Sequence, residues 1–449
     1  MSVPALFVAI SQRLRARVAV LSLGLACALA GAVPAEAAAI ERVTQAQFRV
    51  GGATAIPDMA AQPTTPLPDD WRATQPRVGG SIWYRASFTT PAAAGPVDGL
   101  ALYIARACSS VEVHLNGWRI FSSARGVEPV SRSCSYPHLV ALPGAALLRD
   151  AANVLDLRVQ GHALQRVAAV QRAGGLSALA IGPQALLAAE HDRQLFWQVT
   201  AVQISAGALA VLGCVLLVLG WPARRNGHAW VLGAVLLGWA LLSARLWLRD
   251  IALDHAIVEF ITAAAMAPLA ALATVYLLRH AEWKFAPLNI ALLVQCLLVP
   301  MSMLLAGPNR LHLMSTVWAV LLALEVLAAM GLNLALTWPK RRADFWLMVP
   351  VFALTAAALL LELALQRRLL EPPAVDFTQL GLSLALLVLA MRALVQFARD
   401  SAGAVARKIH RAEAVARKGL EVQLKLLTEE HDHTLAELGA ERLWQLLHT

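Results

Sequence analysis

The sequence predicts a multi-domain membrane protein: an all-β sandwich, then a bundle of seven transmembrane helices, then a long C-terminal helix. Hydrophobic residues make up 58% of the 449 residues and charged residues only 15%, a balance typical of membrane proteins. The region before residue 195 alternates apolar and polar residues, whereas the region after it contains long apolar segments. After Phe397 the chain is charged and rich in helix-forming residues.

Residues 1–37 have the pattern of a signal peptide. Arg13, Arg15 and Arg17 form a positive region, and an apolar stretch follows from residue 18 to 32. The Ala-Glu-Ala sequence at 35–37 fits a small-x-small cleavage site. We therefore expect the mature chain to begin near residue 38, outside the inner membrane.

Short strands with a period of two residues fill the region 38–190, which we expect to form the sandwich. The stretch SVEVHLNGWRIF, residues 110–121, contains two such strands around Asn116-Gly117. This pair tolerates the positive φ angles of a type I′ turn, so it predicts a β-hairpin. Several strands at this spacing favour a β-sandwich. The residues expected in its core are Ile82, Tyr84, Ala86, Phe88, Leu100, Leu102, Ile104, Val111, Val113, Leu115, Leu155, Leu157 and Val159.

The order of three of these segments resembles a known module. WYRASF, VEVHLNG and NVLDLRV are similar to the galactose-binding-like jelly roll that opens the family 2 glycoside hydrolases. The same jelly roll recurs as a periplasmic domain in bacterial membrane sensors, and the resemblance covers roughly residues 70–160. Because this module is not the catalytic one in the hydrolases, the resemblance implies a periplasmic all-β jelly roll but no active-site residues.

Cysteines and aromatic residues are the candidate site residues of this domain. Cys108 and Cys134 both lie in the exported region, where an oxidising compartment favours a disulfide; the alternative is two buried free thiols. Four aromatic side chains are candidates for stacking on a ligand such as a carbohydrate, or else they pack the sandwich and its rim. These are Trp71, Trp83, Trp118 and Tyr136.

The sequence contains no pattern that predicts a metal site, a cofactor or catalytic residues. No spaced set of His, Asp or Cys suggests metal ligands, and no paired carboxylates or triad suggest an exported enzyme. The net charge is +9, but the basic residues sit mostly in short loops and in the tail. Membrane topology explains that distribution better than nucleic-acid binding, which we do not expect.

Seven apolar segments follow the sandwich, each long enough to cross a bilayer at about 20 residues. Basic residues are more frequent in the loops after the first, third and fifth segments, which places that face in the cytoplasm. We therefore expect a multi-pass protein of the bacterial inner membrane, with the sandwich in the periplasm and the C-terminus in the cytoplasm. The segments, which together cover 195–398, are 195–220, 228–248, 256–278, 286–306, 313–337, 345–365 and 377–398.

Five charged residues, counting Asp, Glu, Lys and Arg, fall within these spans. Such residues are costly in lipid, so we expect them to face the interior of the bundle or an interface. Arg245 and Glu259 lie near the outer ends of adjacent helices and are candidates for a pair. Glu325 is near mid-span, where it would make a structural hydrogen bond or a switch contact, or belong to an ion pathway. The full set is Arg245, Glu259, Glu325, Glu362 and Arg392.

The tail, residues 399–449, predicts a cytoplasmic coiled coil. Ala416, Leu420, Leu424, Leu427 and Leu438 belong to an imperfect heptad pattern, so we expect a parallel homodimer through residues 404–440. The alternative is a single solvated helix near the membrane, whose basic residues contact anionic lipid.

The whole architecture resembles the bacterial seven-transmembrane receptors with diverse intracellular signalling modules, many of which end in a histidine kinase or a diguanylate cyclase. The resemblance implies a sensory receptor that couples a periplasmic stimulus to a cytoplasmic signalling partner or kinase. Fifty or so residues of tail are too few for a nucleotide-binding kinase domain. The alternatives are the sensor portion of a two-component histidine kinase, with its catalytic domain lost or separate, and a membrane transporter.

Overall fold

The computed structural model describes residues 40–52, 55–89, 99–123, 133–148, 151–221, 228–246, 248, 253–283, 285–340, 343–367, 369 and 377–447. The predicted signal peptide, 1–37, lies outside these residues. The chain divides into two compact units. The β unit comprises the described parts of Met1–Ala163 and Ala173–Leu195, and the helical unit comprises Leu164–Arg172 and the described parts of Phe196–Thr449.

The described strands of the β unit pair antiparallel in three sheets. The strands are β1 (Glu41–Val43), β2 (Gln45–Val50), β3 (Thr64–Pro66), β4 (Asp69–Asp70), β5 (Gly80–Phe88), β6 (Leu100–Ile104), β7 (Ala107–Cys108), β8 (Ser110–Leu115), β9 (Trp118–Ser122), β10 (His138–Ala141), β11 (Asn153–Gly161), β12 (Gly175–Leu176) and β13 (Leu179–Pro183). The sheet orders are β1-β13-β6-β10, β3-β2-β5-β11-β8-β9 and β4-β12-β7. A four-residue helix, α1 (Trp71–Thr74), follows β4.

One apolar core contains side chains from both larger sheets, which is the arrangement of a sandwich. All thirteen residues predicted to face this core are at most 2% exposed, so the period-two prediction is confirmed. Full burial of a Val, Leu, Ile or Phe side chain contributes about 1.5–3 kcal/mol to the free energy of folding. A slip of one residue in any of these strands would turn its apolar set outward, so burial specifies the register.

The hairpin predicted at Asn116-Gly117 is present between β8 and β9, and both residues have positive φ angles, 51° and 89°. Asn116 also bonds outside the turn. Its Nδ2 donates to the carbonyl of Ala146 at 2.7 Å, and its Oδ1 accepts from the backbone N–H of Val154 at 2.8 Å. The turn residue therefore attaches the hairpin to β11 as well.

Strand β6 is buried on both faces. Leu100, Leu102 and Ile104 point into the sandwich core. Tyr103 on the opposite face packs with Leu187 of helix α2 (Gln184–Leu195), and its hydroxyl hydrogen-bonds to the Gln194 side chain. Because helix α2 covers this second face, the strand sequence LALYI is apolar throughout rather than alternating.

A buried hydrogen-bonded chain lies beside the three-stranded sheet. Trp71 Nε1 donates to the Tyr84 hydroxyl at 2.6 Å, and that hydroxyl donates to Asp69 Oδ2 at 2.6 Å. Burial and the Asp69 carboxylate raise the pKa of Tyr84 well above its ordinary value, so the hydroxyl remains a donor. A disulfide joins Cys108 of β7 to Cys134.

The helical unit contains helices throughout its described length. They are α3 (Ala201–Gly220), which a π-helical turn (Phe196–Thr200) precedes, α4 (Ala229–Ala244), α5 (His255–Ala264), α6 (Met266–His280), α7 (Ala286–Ala306), α8 (Leu311–Thr337), α9 (Ala343–Gln366) and α10 (Phe377–Leu447).

Six helical stretches in the described residues are long and apolar enough to cross a membrane, which makes this a multi-pass membrane protein. They are Gln184–Gly220, His255–His280, Ala286–Ala306, Pro308–Thr337, Phe345–Gln366 and Phe377–Gly403. The span predicted at 228–248 is not among them, because its helix α4 has 16 residues. At 1.5 Å per residue it measures about 24 Å, against a hydrocarbon core of about 30 Å.

Helix α10 joins the last predicted span to the tail without a break. Its 71 residues extend for about 107 Å at 1.5 Å per residue. Apolar side chains in its second half are exposed in this single chain, among them Leu420, Leu424 and Leu427 at 66%, 70% and 65%. The helix predicted for the tail is present, and its pairing with a second copy remains a prediction.

Candidate functional site

The candidate site is a buried polar network within the helical unit, centred on residues Leu164–Arg172. In the sequence these residues lie between β11 and β12, yet they belong to the helical unit. We call them the inserted segment. It contains two short 3₁₀ turns, Leu164–Arg166 and Val170–Arg172. The predicted sandwich, 38–190, includes this stretch, and the sequence predicts no separate role for it.

The strongest contact of the inserted segment is an ion pair with Glu259 on α5. Arg172 Nη1 lies 2.5 Å from Glu259 Oε1, and the backbone N–H of Ala168 donates to Oε2 at 2.8 Å. The Glu259 side chain is 0% exposed and that of Arg172 is 17% exposed. Both carboxylate oxygens are therefore satisfied by the segment, by a charge-assisted bond and a backbone donor.

The peptide at Ala168 is held from a second side by helix α8. Ser315 Oγ donates to the Ala168 carbonyl at 2.6 Å. The Ala168 methyl group packs in an apolar cluster with Ala263, Ala267 and Leu311. Both backbone polar groups of this residue thus bond to side chains of the bundle, as buried backbone groups require.

The end of the inserted segment bonds to helix α9, and through Glu362 it is connected to helix α10. The Val170 N–H donates to Gln366 Oε1 at 3.3 Å, and Gln171 Nε2 donates to Glu362 Oε1 at 3.3 Å. The other Glu362 oxygen accepts from Thr378 Oγ1 at 3.1 Å. Glu362 on α9 therefore connects the segment to the first turn of α10, the helix that continues into the tail.

The contacts around the inserted segment form one connected network. Four helices, α5, α8, α9 and α10, take part in one hydrogen-bonded network with the segment. Within the described ranges, no group of three or more His, Cys, Asp or Glu side chains is placed to hold a metal ion. A displacement of the segment would alter bonds on several helices together.

The five polar residues predicted within spans have different surroundings. Glu259 and Glu362 belong to the network, and the ion-pair partner of Glu259 is Arg172. Glu325 accepts hydrogen bonds from Thr274 and Gln295. Arg245 follows the last residue of α4 and is half-buried, and Arg392 is half-buried on α10.

Sequence reasoning identified the two carboxylates but missed the partners Arg172, Gln171, Ser315 and Gln366. An arginine or a glutamine in a loop between strands carries no hydropathy signal. The one available hint is the apolar stretch at 167–170, which lies where no strand pattern continues.

The four aromatic candidates for ligand stacking differ in exposure. Trp71 and Trp83 are each 1% exposed and Tyr136 is 7% exposed, so in this structure their ring faces are covered by protein. Trp83 lies against the His114 ring, with 5.5 Å between centroids. Trp118, which follows the hairpin turn, is 75% exposed and is the member of the set that offers its ring to solvent.

Comparison with known proteins gives weak similarities. No protein-family profile and no curated protein matches the sequence. Among solved structures, a Bacteroides uniformis β-glucuronidase 2 is 21% identical with a TM-score of 0.25, over 32% of this chain and 17% of that one. A Faecalibacterium prausnitzii β-glucuronidase is 15% identical with a TM-score of 0.24, over 34% and 33%. A glycosyl hydrolase family 2 member from Bacteroides cellulosilyticus is 16% identical with a TM-score of 0.23, over 32% and 20%.

The chain thus covers at most a third of the length of these enzymes. At such TM-scores the similarity does not by itself assign a fold or an activity to this chain.

Proposed function

We propose that the protein is a membrane sensory receptor, in which the inserted segment transmits a stimulus from the β unit to helix α10. The observation that supports this most is the position of Leu164–Arg172, covalently part of the β unit's chain but packed in the helical unit. Movement of β11 or β12 would pull directly on a segment that bonds to α5, α8 and α9, and through Glu362 to α10.

The proposed path to the tail is short. Gln171 and Thr378 bond to the same Glu362 carboxylate, and Thr378 is the second residue of α10. Because α10 is one uninterrupted helix to Leu447, a rotation or shift at its first turn would reach the exposed tail as a rigid-body movement. In this proposal the tail pairs with a second copy as a coiled coil and presents its altered register to a signalling partner or kinase.

The side of the membrane on which the tail lies depends on whether α4 crosses. Six crossings would place the tail on the same side as the β unit, and seven on the opposite side. We propose that α4 crosses the membrane. It packs against α3 within the bundle, so its length need not match the thickness of the surrounding lipid. A Cβ atom at Gly233 would lie 2.8 Å from the Gly213 carbonyl oxygen, which shows how closely the two helices approach.

A tail on the cytoplasmic side is the expected result of a topology experiment. Fusions of green fluorescent protein and of alkaline phosphatase after Thr449 would be expressed in a bacterial host. Fluorescence with little phosphatase activity is expected, because alkaline phosphatase is active only after export. The same pair of reporters fused after Gly220 is the control for the first loop. Phosphatase activity at the C-terminus would mean that α4 does not cross.

A carbohydrate is the ligand class that we propose for the β unit, from its resemblance to galactose-binding-like jelly rolls and from Trp118. An exposed tryptophan beside a turn offers a flat apolar face of the kind on which sugar rings stack. Trp118 has a neighbour of suitable polarity in Arg119, which is also exposed.

Replacement of Trp118 by alanine is expected to abolish retention on a glycan array while leaving the unfolding midpoint of the full-length protein in detergent nearly unchanged. Truncation of an exposed side chain typically changes stability by within about 0.5 kcal/mol. Trp221→Ala is the matched control, since Trp221 is 62% exposed but lies in the helical unit. Equal retention of the wild type and Trp118→Ala would exclude this residue as a ligand contact.

The receptor proposal is tested by a cysteine reporter in the tail. In a Cys214→Ala/Cys296→Ala background, Leu420→Cys is expected to form a disulfide between two copies in oxidised native membranes. Lys418→Cys, about 200° around the helix, is the matched control and should cross-link less. Arg172→Met, which removes the ion pair of the inserted segment, is then expected to change the cross-linked fraction at Leu420→Cys.

The two possible negative results contradict different parts of the proposal. Equal cross-linking at the two tail positions would indicate random collision and contradict the coiled coil. Strong cross-linking at Leu420→Cys that is insensitive to Arg172→Met would leave the dimer in place but contradict transmission through the inserted segment.

A further inference from the structure

Glu325 lies outside the network around the inserted segment and has a different environment. It is near the middle of α8, about 18–21 Å from either end of the helix at 1.5 Å per residue. The stretch that contains it, Pro308–Thr337, is one of those able to cross a membrane. The side chain is half-buried in the helical unit.

Both hydrogen-bond partners of Glu325 are neutral. Thr274 Oγ1 on α6 donates to Oε1 at 2.8 Å, and Gln295 Nε2 on α7 donates to Oε2 at 2.6 Å. The ion pairs formed by described residues do not include Glu325. Glu259, in contrast, has Arg172 at 2.5 Å. The two carboxyl groups of the same unit therefore differ in having or lacking a cationic partner.

A carboxylate at mid-span without a cation is costly, because the hydrocarbon region cannot solvate its charge. Two neutral donors offset only part of that cost. The least costly way to neutralise the group is to bind a proton. A metal ion fits less well, because Gln295 presents its amide nitrogen rather than its oxygen, and hard cations require several oxygen ligands.

The two partners also indicate which oxygen takes the proton. An amide nitrogen can only donate, so Oε2 must remain an acceptor from Gln295 in either state. The Thr274 hydroxyl can donate to an ionised Oε1 or accept from a protonated one by turning about its C–O bond. The site is therefore built to hold the carboxyl in both states with the same heavy-atom positions, with the proton on Oε1.

Other charged or titratable side chains lie on the helices around Glu325. The Cys296 thiol on α7 is close enough to interact electrostatically with Glu325. The remaining groups among side chains that the structure describes on α6, α8 and α9 are Tyr276, Arg279, His280, His312 and Glu362. Of these, Glu362 is bonded to Gln171 and Thr378.

We propose that Glu325 is a reversible proton-binding site of the membrane-spanning helices, with Thr274 and Gln295 as its positioning residues. Because Glu325 and Thr274 belong to α8 and α6, uptake or release of the proton reverses the hydrogen bond between these two helices, while the bond from Gln295 on α7 is kept. The proposal holds whether or not the protein is a receptor, since it rests on the local environment of the carboxyl group alone.

Infrared spectroscopy of the full-length protein in lipid vesicles tests this directly. With ¹³C-labelled glutamate carboxyl groups, the wild type is expected to show a protonated-carboxyl band that shifts in D₂O and declines as the pH is raised. Glu325→Gln should lack the band, and Glu362→Gln should retain it.

A second measurement uses dicyclohexylcarbodiimide, which forms a stable adduct with protonated carboxyl groups in apolar surroundings. Mass spectrometry is expected to locate the adduct at Glu325, with a yield that falls as the pH is raised, and not at Glu259. If the infrared band is absent from the wild type at every pH, or persists in Glu325→Gln, the proposal is overturned. A band that is present but insensitive to pH overturns reversible binding.

Discussion

Replacement of Arg172 by methionine is expected to release the inserted segment, 164–172, from the helical unit. The substitution leaves the fully buried Glu259 carboxylate with no ionic partner in the segment. Loss of one partner of a buried ion pair typically costs about 3–5 kcal/mol. The other contacts of the segment, through Ser315, Gln366 and Glu362, are single hydrogen bonds that contribute about 1 kcal/mol each and do not compensate for this loss.

Hydrogen exchange of the full-length protein in lipid nanodiscs would measure the effect. The amides of Ala168 and Val170 bond to Glu259 and Gln366, so they report opening of the segment. Their exchange is expected to be faster by about a hundredfold or more in Arg172→Met, because each 1.4 kcal/mol or so corresponds to a factor of ten.

Three variants distinguish charge loss from general damage. Glu259→Gln keeps a side-chain acceptor for the Ala168 N–H but removes the charge, so its effect should be smaller than that of Arg172→Met. The Arg172→Met/Glu259→Met pair should recover much of the protection at Val170, since apolar replacement of a buried pair is often neutral, but not at Ala168, whose N–H loses its acceptor. Arg166→Met is the matched arginine control, because among the described residues Arg166 makes an exposed bond to Asn309 rather than a buried ion pair. Equal effects at Arg166 and Arg172 would contradict the special role of the ion pair.

The β unit could be predicted largely from the sequence because its signals are local. In β8 the apolar residues alternate strictly, and in β5 and β11 every second residue from Ile82 to Phe88 and from Leu155 to Val159 is apolar and buried. Asn116-Gly117 specified the turn through backbone sterics alone. The burial of Tyr103 against Leu187 was not predictable in this way, because the helix that covers it lies more than 80 residues further along the chain.

The network of the helical unit could be predicted only in part. Hydropathy identifies an ionisable residue in a span, and so Glu259, Glu325 and Glu362 were found. It does not identify the partner, because Arg172 and Glu259 are 87 residues apart and belong to different patterns. The aromatic candidates illustrate the same limit. A tryptophan on a strand is compatible with burial, as at Trp83, or with exposure, as at Trp118.

Replacement of Gly174 by alanine is expected to prevent normal folding of the β unit. A Cβ atom there would lie 2.0 Å from Trp71 Cε3, 2.5 Å from Cζ3 and 2.6 Å from Cδ2. The rigid indole has little room to yield, because Gly161 also packs on this ring, where a Cβ atom would lie 2.7 Å from Cζ3, and because Nε1 is bonded to Tyr84. The ring would have to leave its site, so the expected cost approaches that of deleting a buried tryptophan, about 3–5 kcal/mol.

The measurement is a urea titration of the full-length protein in detergent, followed by protection of the β unit from limited proteolysis. Gly174→Ala should lower the midpoint strongly, whereas the control Gly51→Ala should not, since a Cβ at Gly51 would meet no atom within 4 Å. Adding Trp71→Leu to Gly174→Ala should recover part of the loss, because the smaller side chain leaves room for the methyl group. If Gly174→Ala matches Gly51→Ala, then the indole ring can move aside at little cost. In that case close packing of Trp71 on the glycines at 161 and 174 is not what holds this end of the sandwich together.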